Sequence, residues 1–358
     1  MNSDRPEPES IPPSLTRYSR QIRFQQLGVA GQKKLSQATA LVVGCGALGS
    51  VIAESLARAG VGCLRIVDRD FLEIHNLQRQ VLYDESDVRA GLPKAIAAAN
   101  KLRMINSTID VQPFVEDLEY RNIEKLADSA DVIVDGTDNF ETRFLINDFA
   151  LQSGTPWIYG GCIGSEGQTM TIVPDQSNCL HCLMAEGPPP PGTTDGCDMA
   201  GILGPVVNVV ASLQSIEALK ILSGNLDAVS KDLTVIDLWS GRLNKLKLGE
   251  LADKIDCPAC RGGQRPWLSG QNSTQTAVLC GRNSVQIRGA HGTQIDLAQL
   301  DQKLSAHGSV TRNEYLLKFE IADEANISLT VFENGRTIVA GTGDVAKAKS
   351  LFAQWVGG

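Results

Sequence analysis

Residues 38–70 narrow the fold more than any other stretch. ATALVVGCGALGS runs an apolar strand into a glycine turn and a helix, and CLRIVDRD follows as a second strand. The helix places Leu48, Val51, Ile52, Ser55, Leu56 and Ala59 on one face at i, i+3, i+4, i+7 spacing, and Gly60 and Gly62 end it. Strand, helix and strand of this length form a βαβ unit, which is right-handed and needs a parallel sheet. Within it, Gly44 permits the tight turn, Gly46 lets a phosphate approach the backbone, and Gly49 lets the helix pack on the strand. The helix N-terminus offers free N–H groups to phosphate, and Asp68 at the end of the second strand is placed to take ribose hydroxyls. Taken alone the turn is generic: it marks an NAD enzyme more often than an ATP enzyme, and a packing role is the bland alternative.

The alternation continues downstream. Helices are expected at 91–105, 122–127 and 140–153, and strands at 109–114, 131–135 and 157–160. Ahead of the first strand, a helical stretch is expected from Arg17 through Ala38. After Gly160 the pattern becomes an antiparallel hairpin. EGPPPPGTTDG at 186–196 reads as a crossover loop, followed by a long helix from Pro205 to Ser223 and the strand LTVIDL. The expected fold class is α/β, a Rossmann-like mixed sheet with helices on both faces. The expected domains are a disordered, Pro-rich tail at 1–14, a main domain at 15–262, a linker at 263–276 and a small α+β domain at 277–358. In that last domain, strand-like runs join helices at 297–307 and 344–356, and Asn334-Gly335 signals a hairpin.

Of the 358 residues, 42% are hydrophobic and 21% charged, the range of a soluble globular protein. No stretch reads as long and apolar enough to cross a bilayer, and the acidic N-terminal stretch does not read as a signal peptide. The formal net charge of −8 argues against nucleic-acid or membrane partners. An anionic ligand must then be held by a few placed cations. Nine cysteines without a secretion signal suit a reducing, cytoplasmic setting, where paired cysteines more often bind metal than form disulfides.

Two further sets of residues point to chemistry. Arg79 and Lys94, with Asp138 in the segment DGTDN, suit ATP better than NAD, because nucleotidyl transfer must neutralise charge building on leaving phosphates and employs an acid suited to Mg²⁺. Each could by itself be a solvated surface residue. The knuckles Cys179-Leu180-His181-Cys182 and Cys257-Pro258-Ala259-Cys260 supply four thiolates, the set that closes a structural, tetrahedral Zn²⁺ site; the alternative is four buried or redox cysteines. Cys197 lies between the Pro-rich loop and a helix start, where a thiol can be exposed and act as a nucleophile or can be a plain loop residue. Cys45, Cys63, Cys162 and Cys280 read as small apolar fillers.

Taken together, RYSRQ at 17–21, GCGALG, DRD with NLQRQ, DGTDN, CLHC, CDMAGILGPVV, SLQSIEALKILSG and CPAC resemble, in order, the ThiF/MoeB/HesA family, the bacterial relatives of ubiquitin-activating enzymes. The resemblance covers about residues 15–262. It implies a homodimer that binds ATP and Mg²⁺ and adenylates the Gly-Gly C-terminus of a small ubiquitin-like sulfur-carrier protein, with a persulfide as sulfur donor, for thiamin or molybdopterin cofactor biosynthesis. By position it gives Asp68 and Asp70 the ribose side, and Asn76, Arg79 and Lys94 the phosphates. Asp138 takes Mg²⁺, Arg20 reaches across the dimer, and Cys197 takes a covalent link to the carrier. Leu92 stands where the family often has an arginine. Cys280 is not followed by a rhodanese-type loop, and the tail resembles the short extension of some bacterial members. The competing readings are an NAD-dependent oxidoreductase and a non-catalytic carrier-binding relative.

Overall fold

The computed structural model describes residues 11–185, 187–188, 200–249, 256–272, 276–279, 283–287, 294–322, 324 and 326–357. These divide into two compact units, the first ending at Asn272. In the first, eight strands lie in the order β3-β2-β1-β4-β5-β6-β7-β8. Their bounds are β1 Thr39–Val43, β2 Cys63–Val67, β3 Asp110–Phe114, β4 Val132–Asp135, β5 Trp157–Ile163, β6 Glu166–Ile172, β7 Leu233–Asp237 and β8 Arg242–Leu246. Pairing is parallel from β3 to β5 and antiparallel from β5 to β8. The chain steps outward from β1 to β3 and then resumes at β4 on the other side of β1. Ligands of open α/β sheets bind at such a switch point, beyond the carboxyl ends of the strands.

Among the described residues, four helices of ten or more residues cover this sheet: α1 (Ala47–Ala59), α2 (Lys94–Ile105), α3 (Phe140–Ser153) and α4 (Gly204–Ser223). Helices α1, α2 and α4 share one apolar cluster with Val42, Leu64 and Val134, while α3 packs into a second cluster with Leu41, Ile133 and Trp157. Alternate residues of β1 and β4 thus face opposite sides, as parallel strands buried on both faces require. In α1 the buried set is wider than one face, because Ser50, Ala53 and Ala57 are covered as well. Helix α4 lies beside α1 and packs on β4, β5 and β6, where Gln214 Nε2 donates to Asp135 O at 2.7 Å. With 20 residues, α4 reaches bilayer length, contrary to the sequence reading. Yet Val206, Val207, Val210, Ala211 and Ala218 are buried in the core.

Several boundaries shift for local reasons. The helical stretch expected from Arg17 is broken into Pro13–Tyr18, Ser19–Ile22 and Gly28–Leu35, with Gly28 in the left-handed region at φ +59°. Helix α2 starts three residues late, because Leu92 precedes Pro93 and a pre-proline residue disfavours helix. Strand β8 was not anticipated; all five of its residues are exposed, so no burial pattern marks it. Residues 263–272, expected as linker, fold back instead. Trp267 and Leu268 pack into the α3 cluster, and their N–H groups donate to Asp148 Oδ2 at 3.0 and 3.4 Å.

The second unit holds a six-stranded antiparallel sheet in the order β11-β12-β13-β14-β10-β9. Its strands are β9 Thr276–Leu279, β10 Ser284–Ile287, β11 Gly308–Arg312, β12 Leu316–Ile321, β13 Ser328–Phe332 and β14 Thr337–Ala340. Helices α5 (Leu297–Leu304) and α6 (Val345–Trp355) share its core with Val285, Phe319, Leu329 and Val339. Asn334-Gly335 lies in the β13–β14 hairpin, with Gly335 at φ +77°.

Leu56 is fully buried between α1 and the sheet. Leu56→Ala should therefore lower stability by about 2–5 kcal/mol, measured by urea unfolding, with an unchanged denaturant slope.

Candidate active site

The site grows from three backbones that touch. Gly44, at φ +79°, leaves β1 with its N–H donated to Val67 O at 2.7 Å, and Gly136 leaves β4 with its N–H donated to Val43 O at 2.8 Å. A Cβ on Gly49 would lie 1.8 Å from Gly44 O, and one on Gly136 would lie 2.4 Å from the same oxygen. Gly46 differs: its nearest neighbour would be Gln80 Nε2 at 3.7 Å. Two glycines are thus needed by the protein's own packing, while the second glycine of the motif keeps an open approach at the start of α1.

Three of the polar groups named from sequence, Asp68, Asp70 and Lys94, are linked to this turn. Asp68 is buried, and its carboxylate accepts Cys45 N–H at 2.6 Å and Asp70 N–H at 2.7 Å. Burial pushes its pKa up, opposed by the nearby Lys94. Lys94, 4% exposed, extends Nζ to Asp70 Oδ2 at 3.2 Å and donates its N–H to Asp70 O at 2.8 Å. Arg69 is engaged by Asp117 at 2.8 Å. Asn76 is 1% exposed; its Oδ1 accepts Glu73 N–H, and its Nδ2 is buried without a hydrogen-bond partner among the described residues. Gln80 Oε1 is likewise buried and unpartnered. Gln80 is the group nearest Gly46, and its orphaned acceptor is one that a bound polar ligand would satisfy. Arg79 is half-buried and donates to His75 O at 3.1 Å. Leu92 packs on the core, so no auxiliary cation stands there.

Asp138 is exposed on the loop after β4. The loop is held from beneath by a buried ion pair that sequence reasoning missed. Asp135 Oδ2 accepts Arg143 Nε at 2.9 Å, and Asp135 Oδ1 accepts both Thr137 N–H and the Thr137 hydroxyl. Arg143 also donates to Thr137 O at 2.6 Å and Gly160 O at 2.8 Å, with the rings of Phe140 and Tyr159 each 5.1 Å from its guanidinium carbon. A helical Arg eight residues after an Asp carries no signal in sequence. Arg20 is exposed and has no partner among the described residues. Its segment is anchored by Tyr18, which packs against Gly60, and by Gln21, which donates to Ala59 O at 2.7 Å. Cys197 lies outside the described residues.

The four knuckle sulfurs converge, all within 4.8 Å of one another. Cys179 is 3.8 Å from Cys182 and 3.7 Å from Cys257, and Cys182 is 3.6 Å from Cys260. Tetrahedral Zn–S bonds of about 2.3 Å give sulfur–sulfur edges of about 3.8 Å, so the cluster is compatible with zinc. Hydrogen bonding from Cys179 brings the Cys182 thiol down to about 5. His181 faces away as a buried, edge-on neighbour of Phe144 at 4.6 Å, and burial lowers its pKa. Asp148, which accepts from Trp267 and Leu268, is pushed up to about 6 by burial.

Purified protein should therefore carry about one zinc per chain. Cys260→Ser should reduce both the zinc content, read by atomic absorption, and the melting temperature, since metal binding is coupled to folding. Metal-free protein with unchanged melting would exclude this role for the cluster.

Comparison with known proteins agrees with this geometry. Residues 18–259 match the model of the ThiF family. The chain is 45% identical over 342 residues to the sulfur carrier protein ThiS adenylyltransferase of Bacillus subtilis, covering 95% of this chain and 99% of that one. It is 38% identical over 267 residues to the adenylyltransferase and sulfurtransferase MOCS3 of Xenopus laevis, covering 75% of this chain and 56% of the other. Among solved structures, Escherichia coli MccB with succinimide superposes with a TM-score of 0.57 at 25% identity, over 68% of this chain and 73% of that one. With the nucleotide-type glycine turn at the switch point, the acids and lysine linked to it and a family match over residues 18–259, the chain belongs to the ThiF family and is an adenylyltransferase.

Proposed function

We propose that this enzyme adenylates the C-terminal glycine of a small ubiquitin-like sulfur carrier ending in Gly-Gly. The reading is carried by the open face of Gly46 beside Gln80, whose Oε1 is buried without a partner among the described residues, and by the buried Lys94, which reaches the same turn through Asp70 and Asp68. In this reading a carboxylate oxygen of the carrier attacks the α-phosphorus of ATP. The bond to the bridging oxygen breaks, pyrophosphate leaves, and an acyl-adenylate remains. Asp68 and Asp70 serve the ribose side; Lys94, Arg79 and Asn76 serve the phosphates. Asp138 is the residue to hold Mg²⁺, which when bound neutralises charge on the leaving phosphates.

The near full-length match to a ThiS adenylyltransferase favours a ThiS-like carrier and thiamin biosynthesis over molybdopterin. Coverage of 95% of this chain takes in most of the C-terminal unit, whereas the MOCS3 match stops at 75%. A persulfide would then supply sulfur to the activated carrier, with Cys197 as the candidate thiol for a covalent link. Cysteine ligands in the thiolate form suit a reducing, cytoplasmic setting. Arg20, exposed on an anchored segment, has the freedom to complete the site of a second copy in a homodimer.

With Mg²⁺ and a Gly-Gly-ended carrier, the protein should exchange labelled pyrophosphate into ATP. Asp138→Ala should lose at least about 10²-fold of that rate with its melting temperature kept; full exchange by the variant would remove Asp138 from the mechanism. If Arg20 acts across a dimer, mixing inactive Arg20→Ala with inactive Asp138→Ala subunits should restore part of the activity once subunits have exchanged. No recovery after proven exchange would place Arg20 in its own chain's site or outside the chemistry.

A further inference from the structure

We propose that the Tyr83 hydroxyl is a positioning group for nucleotide binding, holding the glycine turn, the Asn76–Tyr83 segment and the start of α2 in one register. The inference rests on the adenylation reading and adds to it a residue that touches neither the nucleotide nor the carrier. Tyr83 closes the segment that carries Asn76, Arg79 and Gln80, and its ring is buried in the cluster shared by α1 and α2. Its hydroxyl lies 2.7 Å from the carbonyl oxygen of Cys45, inside the Gly44–Gly46 turn, and 3.2 Å from that of Lys94. The two carbonyls share the single phenolic proton.

The Cys45 residue is thereby held from both directions. Its N–H donates to Asp68 at 2.6 Å, and its carbonyl accepts from Tyr83. That clamp sets the direction in which the turn presents the first N–H groups of α1, which have no partner within the helix. Lys94 is fixed in the same way, its N–H on Asp70 O and its carbonyl within reach of the Tyr83 hydroxyl. One buried group therefore relates the backbone that would meet the phosphates to the cation that would neutralise them. Burial keeps the phenol protonated far above neutral pH, so it remains a donor. Phenylalanine fills the same space, which separates the hydroxyl from the packing of the ring.

The test is Tyr83→Phe in the full-length protein, with Tyr83→Leu as the packing control. In pyrophosphate exchange, Tyr83→Phe should raise the KM for ATP about tenfold, because the released turn must be brought back into register on binding, and leave the KM for the carrier unchanged. The rise in melting temperature on adding ATP and Mg²⁺ should shrink in step, while the ligand-free melting temperature falls only by the few degrees that one buried hydrogen bond contributes. Tyr83→Leu should lower the ligand-free melting temperature much further. An unchanged ATP KM and thermal shift in Tyr83→Phe would overturn the inference. So would an equal rise in both KM values with a fall in ligand-free melting as large as that of Tyr83→Leu, which would mean general loosening. A wild-type protein that neither binds ATP nor exchanges pyrophosphate would overturn the adenylation reading, and this inference with it.

Discussion

Backbone contact at the mouth of the sheet governs the rest of the first unit. At the ends of β1 and β4, Gly44, Gly49 and Gly136 approach so closely that a single methyl on either of the last two would overlap Gly44 O. That approach lets α1 start directly at the tip of β1, and it brings the loop after β4, with Asp138, alongside the glycine turn. A side chain at Gly49 or Gly136 would have to push helix from strand or β4 from β1. Both moves would open a core in which Ile52, Leu56, Val42 and Val134 are buried together. The chemistry of the site and the packing of the sheet thus rest on the same few atoms.

Electrostatics then divides the labour among the charged groups. With a formal charge of −8, the chain has no general field to draw an anion. Its cations are placed one by one. Arg69 is committed to Asp117 and Arg143 to Asp135, both as parts of the frame. Lys94 is buried against Asp70 at the mouth, and Arg79 is half-buried with its guanidinium on His75 O. A buried ion pair such as Asp135–Arg143 is weak as a source of stability, because desolvation offsets much of the attraction. Its geometry is what matters here: it ties β4, β5 and α3 to the loop between them.

The four-cysteine cluster works at longer range. Cys179 and Cys182 belong to the segment after β6, while Cys257 and Cys260 lie beyond β8, so a metal there would join distant parts of the chain under α3. The same region draws in Trp267 and Leu268 through Asp148, extending the first unit past the second knuckle to Asn272. Phe144 of α3 contacts both His181 and Trp267, so the apolar packing and the sulfur cluster form one body.

Sequence alone determined the βαβ start, the parallel-then-antiparallel order of strands, the two cysteine knuckles, and Asp68, Asp70 and Lys94 beside the glycine turn. Each of these is written locally, as an apolar period, a glycine spacing or a pair of ligands one turn apart. Tertiary structure alone decided what depends on groups far apart in the chain. Asp135 and Arg143 find each other only once β4 and α3 are packed, and Tyr83 reaches Cys45 across 38 residues. Strand β8 carries no burial alternation, because both its faces are exposed, and it is defined only by its partner β7. Residues 263–272 read as linker because their composition is polar and rich in glycine and proline. Their place in the first unit was set by two apolar side chains and the carboxylate of Asp148, whose attraction acts only after the core it lies in has formed.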